Sequence, residues 1–219
     1  MTLKEKRQAE RNELLLKRKE NILEEALNEF CRKGIENTTI ADVAKASEVG
    51  VASMYRYFST KSDLVIGCAS LFWEKEERIF TPALMTEEYK MLKGIEQIRV
   101  ILQVFIKVFE QYGDFLKFIY EFDTYIRKEK IDPNGLMEYE KRIINIKPIF
   151  AQALEKGQKD HTINLKYNID ETYFTITHLL LSLSQKLAIY GDILEMDKAV
   201  EPKKQIEIAV DLLINSLKS

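Results

Sequence analysis

The chain has 219 residues, 46% of them hydrophobic, with eight glycines, four prolines and a formal net charge of -2. That length buries a full core, as one large domain or a small one joined to a larger one, and sparse Gly and Pro among long apolar periodicities predict an all-α fold. The charged amino terminus lacks the apolar stretch of a signal peptide and no apolar run reaches membrane-spanning length, so a soluble, cytoplasmic protein without a membrane partner is expected.

Charge is unevenly spread: residues 1–62 carry 12 Lys/Arg against 10 Asp/Glu, and the remainder 21 against 25. Within the first twenty residues, Lys4, Lys6, Arg7, Arg11, Lys17, Arg18 and Lys19 stand against Glu5, Glu10, Glu13 and Glu20. Residues 1–20 therefore carry a net +3, and residues 1–16 are read as a basic extension ahead of the first helix. It is either an arm that follows phosphates or enters a minor groove, or a solvated continuation of the first helix. That helix is predicted over 17–33, burying Ile22, Leu23, Ala26, Leu27 and Phe30, with Gly34 as a left-handed stop. Cys31 and Cys68 are too isolated for a disulfide framework or a zinc site and read as buried thiols.

Thr39-Ile-Ala-Asp42 is a capping box, so a second helix starts at Thr39 and stops near Ser47, with Ile40, Val43 and Ala44 on its apolar side. A third follows from about Gly50, with Val51, Met54, Tyr55 and Phe58 at i, i+3, i+4 and i+7, closed by Ser59-Thr60. Two short helices joined by a tight turn make the motif whose second helix lies in a major groove. Ala52, Ser53, Arg56 and Tyr57 are expected on its outward face. A methyl such as that of Ala52 can touch a thymine methyl, Arg56 can bond a guanine or a phosphate, and the hydroxyls of Ser53 and Tyr57 suit phosphate oxygens. Thr60 and Asp63 form a further capping box. Lys61 then sits in the first turn of the next helix, where a cation opposes the helix dipole unless a phosphate lies near.

Ile40-Ala41-x-x-Ala44, followed by Met54-Tyr55-Arg56-Tyr57-Phe58-x-x-Lys61-x-x-Leu64, resembles the N-terminal domain of the TetR family of repressors. The match is dense over about forty residues; beyond Leu64 it rests on helix number and length. The resemblance implies a helix-turn-helix domain over 1–64 and a larger helical ligand-binding and dimerisation domain over 65–219. It also implies a homodimer that sits on a palindromic operator in double-stranded DNA and leaves it when a small molecule binds. Carried over by position, Thr39, Ser53, Tyr55, Tyr57 and Lys61 are backbone contacts, Val51, Ala52 and Arg56 lie nearest the bases, and Thr38 and Gly50 belong to the same DNA face. Three residues depart from the family pattern. Glu48 replaces the glycine that usually ends the first motif helix in a left-handed conformation, so either it carries about 1 kcal/mol of strain or the turn runs differently. Gly50 replaces a capping serine, at a few tenths of a kcal/mol, and Ala52 a common glycine.

The helix from Lys61 is expected to pass Trp73 and reach about Phe80, where Pro82 ends it. A ligand-driven tilt of this helix is the route the resemblance implies from pocket to operator. Further helices are predicted over 92–112 and 114–130, and from Pro133 to about Gly157 with a kink at Pro148. Trp73, Phe105, Phe109, Tyr112, Phe118, Phe122 and Tyr125 are either ordinary core or the lining of a cavity for a hydrophobic or aromatic effector, with His178 as a possible polar contact. Glu110, Glu121 and Asp123 near them read as surface charge. Over 173–190, Ile176, Leu180, Leu183 and Leu187 form a stripe. Over Pro202–Leu217, Ile206, Val210, Leu213 and Leu217 form a seam. Paired with their copies in a second chain these would make a four-helix dimer interface; the plainer alternative is a monomer's own core.

Catalysis is not expected. Gln158 and Thr175 stand three residues before His161 and His178, so no Glu-x-x-His pair exists for a carboxylate-bridged di-iron site. Glycine-rich phosphate loops, G-x-S-x-G and Cys/His clusters of metal spacing are also missing, so no cofactor or metal is expected. The competing reading is a helical cytosolic protein that binds a ligand or partner without sequence-specific DNA binding.

Overall fold

A computed structural model of the chain describes the backbone of residues 2–143, 146–191, 193 and 195–219 and, within these, every side chain but those of 3, 4, 75–83, 142, 143 and 196. Among the described residues twelve α-helices form and no strand does; one isolated bridge pairs Ile163 with Lys218. The chain forms two compact units, Met1–Glu74 with Glu121–Glu140, and Lys75–Tyr120 with Lys141–Ser219. The first unit runs through Glu74 and also takes in residues 121–140.

In the first unit, α1 (Leu3–Lys33) is one continuous helix of 31 residues, about 46 Å long. Its start is a capping box in which the Thr2 amide donates to Glu5 at 2.7 Å. The basic extension is therefore the continuation of the first helix. Gly34 ends it at φ 85, its amide donating to the Phe30 carbonyl at 2.8 Å. Helices α2 (Ile40–Ala46) and α3 (Val51–Tyr57) follow, then α4 (Lys61–Leu84). Ile22, Ala26, Phe30, Val43, Met54, Phe58, Leu64 and Cys68 are buried in this unit. Cys68 meets the expectation of a buried thiol, its sulfur donating to the Leu23 carbonyl at 3.4 Å, whereas Cys31 is only half-buried. Helix α4 runs two residues past Pro82 rather than stopping before it. A proline so near the end sacrifices one amide bond in a turn that frays anyway.

The second unit is organised by α6 (Gly94–Gln111), α9 (Lys147–Lys159), α10 (Ile169–Tyr190) and α12 (Pro202–Leu217). At the start of α6 the backbone approaches α9 so closely that a Cβ on Gly94 would lie 2.1 Å from the Gly157 nitrogen. Only glycine fits there. Ile98, Leu102, Phe150, Leu154, Leu180, Val210 and Ile214 fill the space between these helices. Short α5 (Glu87–Met91) and α11 (Glu195–Lys198) were not anticipated, while α7 (Gly113–Lys128) lies close to its expected range. The helix expected from Pro133 to about Gly157 with a kink at Pro148 is two, α8 (Pro133–Ile143) and α9, with Pro148 in the first turn of the latter. Proline is preorganised for that position. The join, residues 144–145, lies outside the described residues.

The stripes read as a dimer interface need correction. Ile176, Leu180, Leu187, Ile206, Val210 and Leu217 are buried within this one chain, and Leu183 and Leu213 are half-buried. Their own neighbours α6 and α9 cover the face that periodicity marked. What α10 and α12 leave in the open is Phe174 and Leu179, the latter 55% exposed, and Ile208 and Leu212, the latter 65% exposed.

Candidate nucleic-acid interface

Local sequence positions the two motif helices. The Thr39 hydroxyl accepts from the Asp42 amide at 3.1 Å, while the Asp42 carboxylate accepts from the Thr39 amide at 2.8 Å and the Thr39 hydroxyl at 2.6 Å. These bonds, led by that of the hydroxyl, hold the Asp42 carboxyl down to about 2, with Lys33 adding a smaller pull. The far end of α2 closes as the Val49 amide donates to the Ala44 carbonyl at 2.8 Å and the Glu48 amide to the Lys45 carbonyl at 3.3 Å. This is the bonding of a left-handed helix stop, and Glu48 sits in it at φ 53. The residue adopts the strained conformation expected of the glycine it replaces. Arg18 of α1 donates to the Glu48 carbonyl at 2.8 Å, a tie between the first helix and the motif turn.

Gly50 caps α3 at φ -64 and ψ 140 with no side-chain bond, and open space surrounds the place of its absent Cβ. Met54 and Phe58 anchor the helix inward at 0% and 4% exposure. Val51 and Tyr55, placed with them by periodicity, instead stand 45% and 54% exposed. A helix of seven residues lying on one neighbour buries only a narrow stripe, so the flanks of the apolar arc face out. The outward surface of α3 is therefore Val51, Ala52, Tyr55 and Arg56, with Ser53 and Tyr57 half-buried beside them and Thr39 exposed at the head of α2. The Arg56 guanidinium donates to the Ser53 hydroxyl at 2.7 Å. That bond lies on an exposed surface and can exchange for one to a base or phosphate.

One of the sequence-predicted contacts differs, and a second has partners within the chain. Thr38 is buried, its hydroxyl donating to the Gly34 carbonyl at 2.9 Å, so its side chain supports the turn and is turned away from the outer face. Lys61 is half-buried in the first turn of α4, where the Thr60–Asp63 capping box forms with both bonds at 3.0 Å. Its ammonium donates to the Glu36 carbonyl at 3.3 Å and lies 5.9 Å from the Tyr125 ring centre. Burial lowers its pKa. Sequence places Arg18 and Lys19 only among the bases of the N-terminal stretch; in the structure Arg18 ties down the Glu48 turn and the Lys19 ammonium lies 5.4 Å from the Phe58 ring centre. Both partners are remote in sequence, and no local pattern marks them.

The aromatic residues considered for an effector cavity fall in both units. In the first, Phe122 and Tyr125 are buried and Trp73 is half-buried, its indole donating to the Tyr139 hydroxyl at 3.4 Å. In the second, Phe118 is buried while Phe105, Phe109 and Tyr112 are half-buried. Phe109 borders an open groove of about 640 Å³ together with Lys117, Leu187 and Lys198. His178 is exposed on α10, 6.0 Å from the Phe174 ring, so it supplies no polar contact to the interior. Glu110 pairs with Lys203 at 2.6 Å and Glu121 accepts from the Ile35 amide, so these two acids have internal partners. Among the described residues no cluster of three His, Cys, Asp or Glu side chains could hold a metal, and no helix is long and apolar enough to cross a membrane.

Residues 22–68, which span the end of α1 through the first half of α4, match the family described as bacterial regulatory proteins, tetR family. The chain is 27% identical over 192 residues to the HTH-type transcriptional regulator LuxR of Vibrio harveyi, covering 80% of this chain and 91% of that one. In fold it is similar to a transcriptional regulator from Saccharomonospora viridis crystallised with choline, at a TM-score of 0.72 and 15% identity over 92% of this chain and 97% of that one. It is also similar to the regulator FadR of Bacillus subtilis in complex with stearoyl-CoA, at a TM-score of 0.64 and 16% identity over 90% and 98% of the two chains. With the capping boxes, the left-handed turn and the outward face of α3 in place, residues 22–68 match the DNA-binding domain of the tetR family of bacterial regulatory proteins, and most of the chain is similar to an HTH-type transcriptional regulator.

Proposed function

We propose that this regulator is a cytoplasmic homodimeric repressor that holds a palindromic operator through α3 and is released by a small hydrophobic or aromatic molecule. The observation that carries the reading is the outward face of α3, where Val51, Ala52, Tyr55 and Arg56 stand exposed on a helix fixed from behind by Met54 and Phe58. Small side chains at the front of that helix allow close approach to base edges, and Arg56 offers a bidentate donor. Thr39, Ser53 and Tyr57 supply hydroxyls for phosphate oxygens, Gly50 lets the backbone come near, and Lys61 adds a cation at the rim.

The second chain would pack on the exposed faces of α10 and α12, through Phe174, Leu179, Ile208 and Leu212. A two-fold axis there would set two copies of α3 one DNA turn apart, roughly 34–36 Å. The effector would enter the second unit, and a shift of the distal part of α4 would carry its Lys61 end with it. Choline and stearoyl-CoA in complexes of proteins with this fold support a small-molecule effector without naming this one. A gel shift across salt concentrations on the DNA adjoining the chain's own gene tests the reading. Sequence-selective, salt-sensitive retardation is expected; none at low salt overturns it.

A further inference from the structure

The N-terminal half of α1 carries a charge pattern that the helix-turn-helix does not use. At 100° per residue, Arg7, Arg11 and Arg18 fall within about 20° of a single line along the helix. Glu5, Glu13 and Glu20 lie on the opposite side, and Glu10 on one flank. Arg7 and Arg11 are exposed, and among the described residues neither is paired with a carboxylate. Lys17, on another side, is paired with Glu13 at 2.7 Å. Arg18 fixes which way the line faces, because its guanidinium donates at 2.8 Å to the Glu48 carbonyl in the turn that leads into α3. The arginine face of α1 is thus continuous with the side of the motif that holds the start of α3. Arg11 and Arg7 stand about 10 Å and 16 Å farther along the axis.

The geometry points to a second DNA-binding surface: the Arg7–Arg11 face of α1 grips backbone phosphates outside the half-site that α3 contacts. This rests on the reading of α3 as the DNA-binding helix and extends the contact beyond it. Exposed arginines along one helix line, with three of the four nearby acids on the opposite side and only Glu10 on a flank, prolong a DNA-reading element and complement a polyanion whose charges are regularly spaced. The extension supplies affinity and salt dependence rather than base choice, because a phosphate contact carries no sequence information.

The test compares the full-length protein with the double variant Arg7→Gln/Arg11→Gln and with Lys6→Gln/Lys17→Gln, which removes equal charge from another side of the same helix. Glutamine is a good helix former, so α1 persists in both, and far-UV circular dichroism checks this. Fluorescence anisotropy from 50 to 300 mM salt uses two duplexes of promoter-proximal DNA, one ending at the edges of the protected site and one extended by a turn on each side. On the extended duplex the arginine variant is expected to bind at least tenfold more weakly, with a log K against log salt slope shallower by about 2 for each chain bound. On the short duplex it should match the wild type, and the lysine variant should match it on both. Equal slopes for all three proteins, or equal losses in both variants, overturn the proposal while leaving the role of α3 intact. A wild type that holds no duplex overturns both. Unchanged DNA binding accompanied by arginine-dependent binding to phosphatidylserine vesicles overturns it in favour of a membrane surface.

Discussion

The Glu121 carboxylate accepts a hydrogen bond from the Ile35 amide at 2.7 Å, joining residues 86 positions apart. The bond sits where α1 turns toward the motif, and a Cβ on Gly34 would lie 3.2 Å from the same carboxylate. Gly34 holds φ 85 and ψ 154, a region open to glycine alone. Gly34→Ala should therefore destabilise the protein by about 1–3 kcal/mol through strain. Glu121→Ala should cost about 1.5–3 kcal/mol through the lost charge-assisted bond. Urea denaturation read by circular dichroism checks both, with midpoints falling at constant slope.

Glu48 yields a prediction of opposite sign. Its backbone lies at φ 53, and its amide and carbonyl, not its side chain, make the bonds of the turn. Glu48→Gly keeps those bonds and removes the left-handed penalty, so stability should rise by about 1 kcal/mol. An unchanged or lowered urea midpoint would show that the glutamate side chain contributes something its exposed position does not suggest.

The acid limb of stability should contain Asp42. Its folded pKa, about 2, lies below the ordinary 3.8 because of the Thr39 hydroxyl, then the Thr39 amide, then Lys33. A depressed carboxyl stabilises the fold fully above its unfolded value and loses that contribution as pH falls through the folded one. The stability difference between wild type and Asp42→Asn should be constant above about pH 4 and shrink toward pH 2. Urea titrations at four pH values between these limits read it directly, and a pH-independent difference contradicts the account.

How much of this was legible depended on how far the determining contacts lie apart in sequence. The Thr39–Asp42 and Thr60–Asp63 boxes and the Gly34 stop are local, and each stands where three or four consecutive residues place it; at Glu48 the sequence left two turns open, and the structure holds the left-handed one. Periodicity also found the buried stripes of α10 and α12. It could not tell which neighbour covers them, because an apolar arc looks the same beneath α6 and α9 as beneath a second chain. Val51 and Tyr55 failed for the same reason, a stripe narrower than the apolar arc. Thr38 turns inward to the Gly34 carbonyl and His178 stands exposed beside Phe174, neither marked by the apolar pattern, and the Arg18–Glu48 and Glu121–Ile35 ties connect segments with no shared pattern.

In the proposed dimer, the buried and exposed faces of α10 and α12 separate folding from association. Leu212→Arg places a charge on a residue already 65% exposed, so the chain should fold but sediment as a monomer and lose tight DNA binding. Leu180→Ala, at a fully buried position, should instead cost about 2–5 kcal/mol of stability. Analytical ultracentrifugation distinguishes the two, and a Leu212→Arg protein that remains dimeric moves the interface elsewhere.

The most direct test of α3 as the operator-binding element is a hydroxyl-radical footprint on the DNA adjoining the chain's own gene, made with wild type and with Ala52→Glu. The wild type should protect two symmetry-related half-sites whose centres lie about one helical turn apart, roughly 34–36 Å. The variant, which sets a carboxylate among the phosphates, should protect neither while its circular dichroism is unchanged. Equal protection by both proteins would contradict the assignment of α3 to the DNA groove.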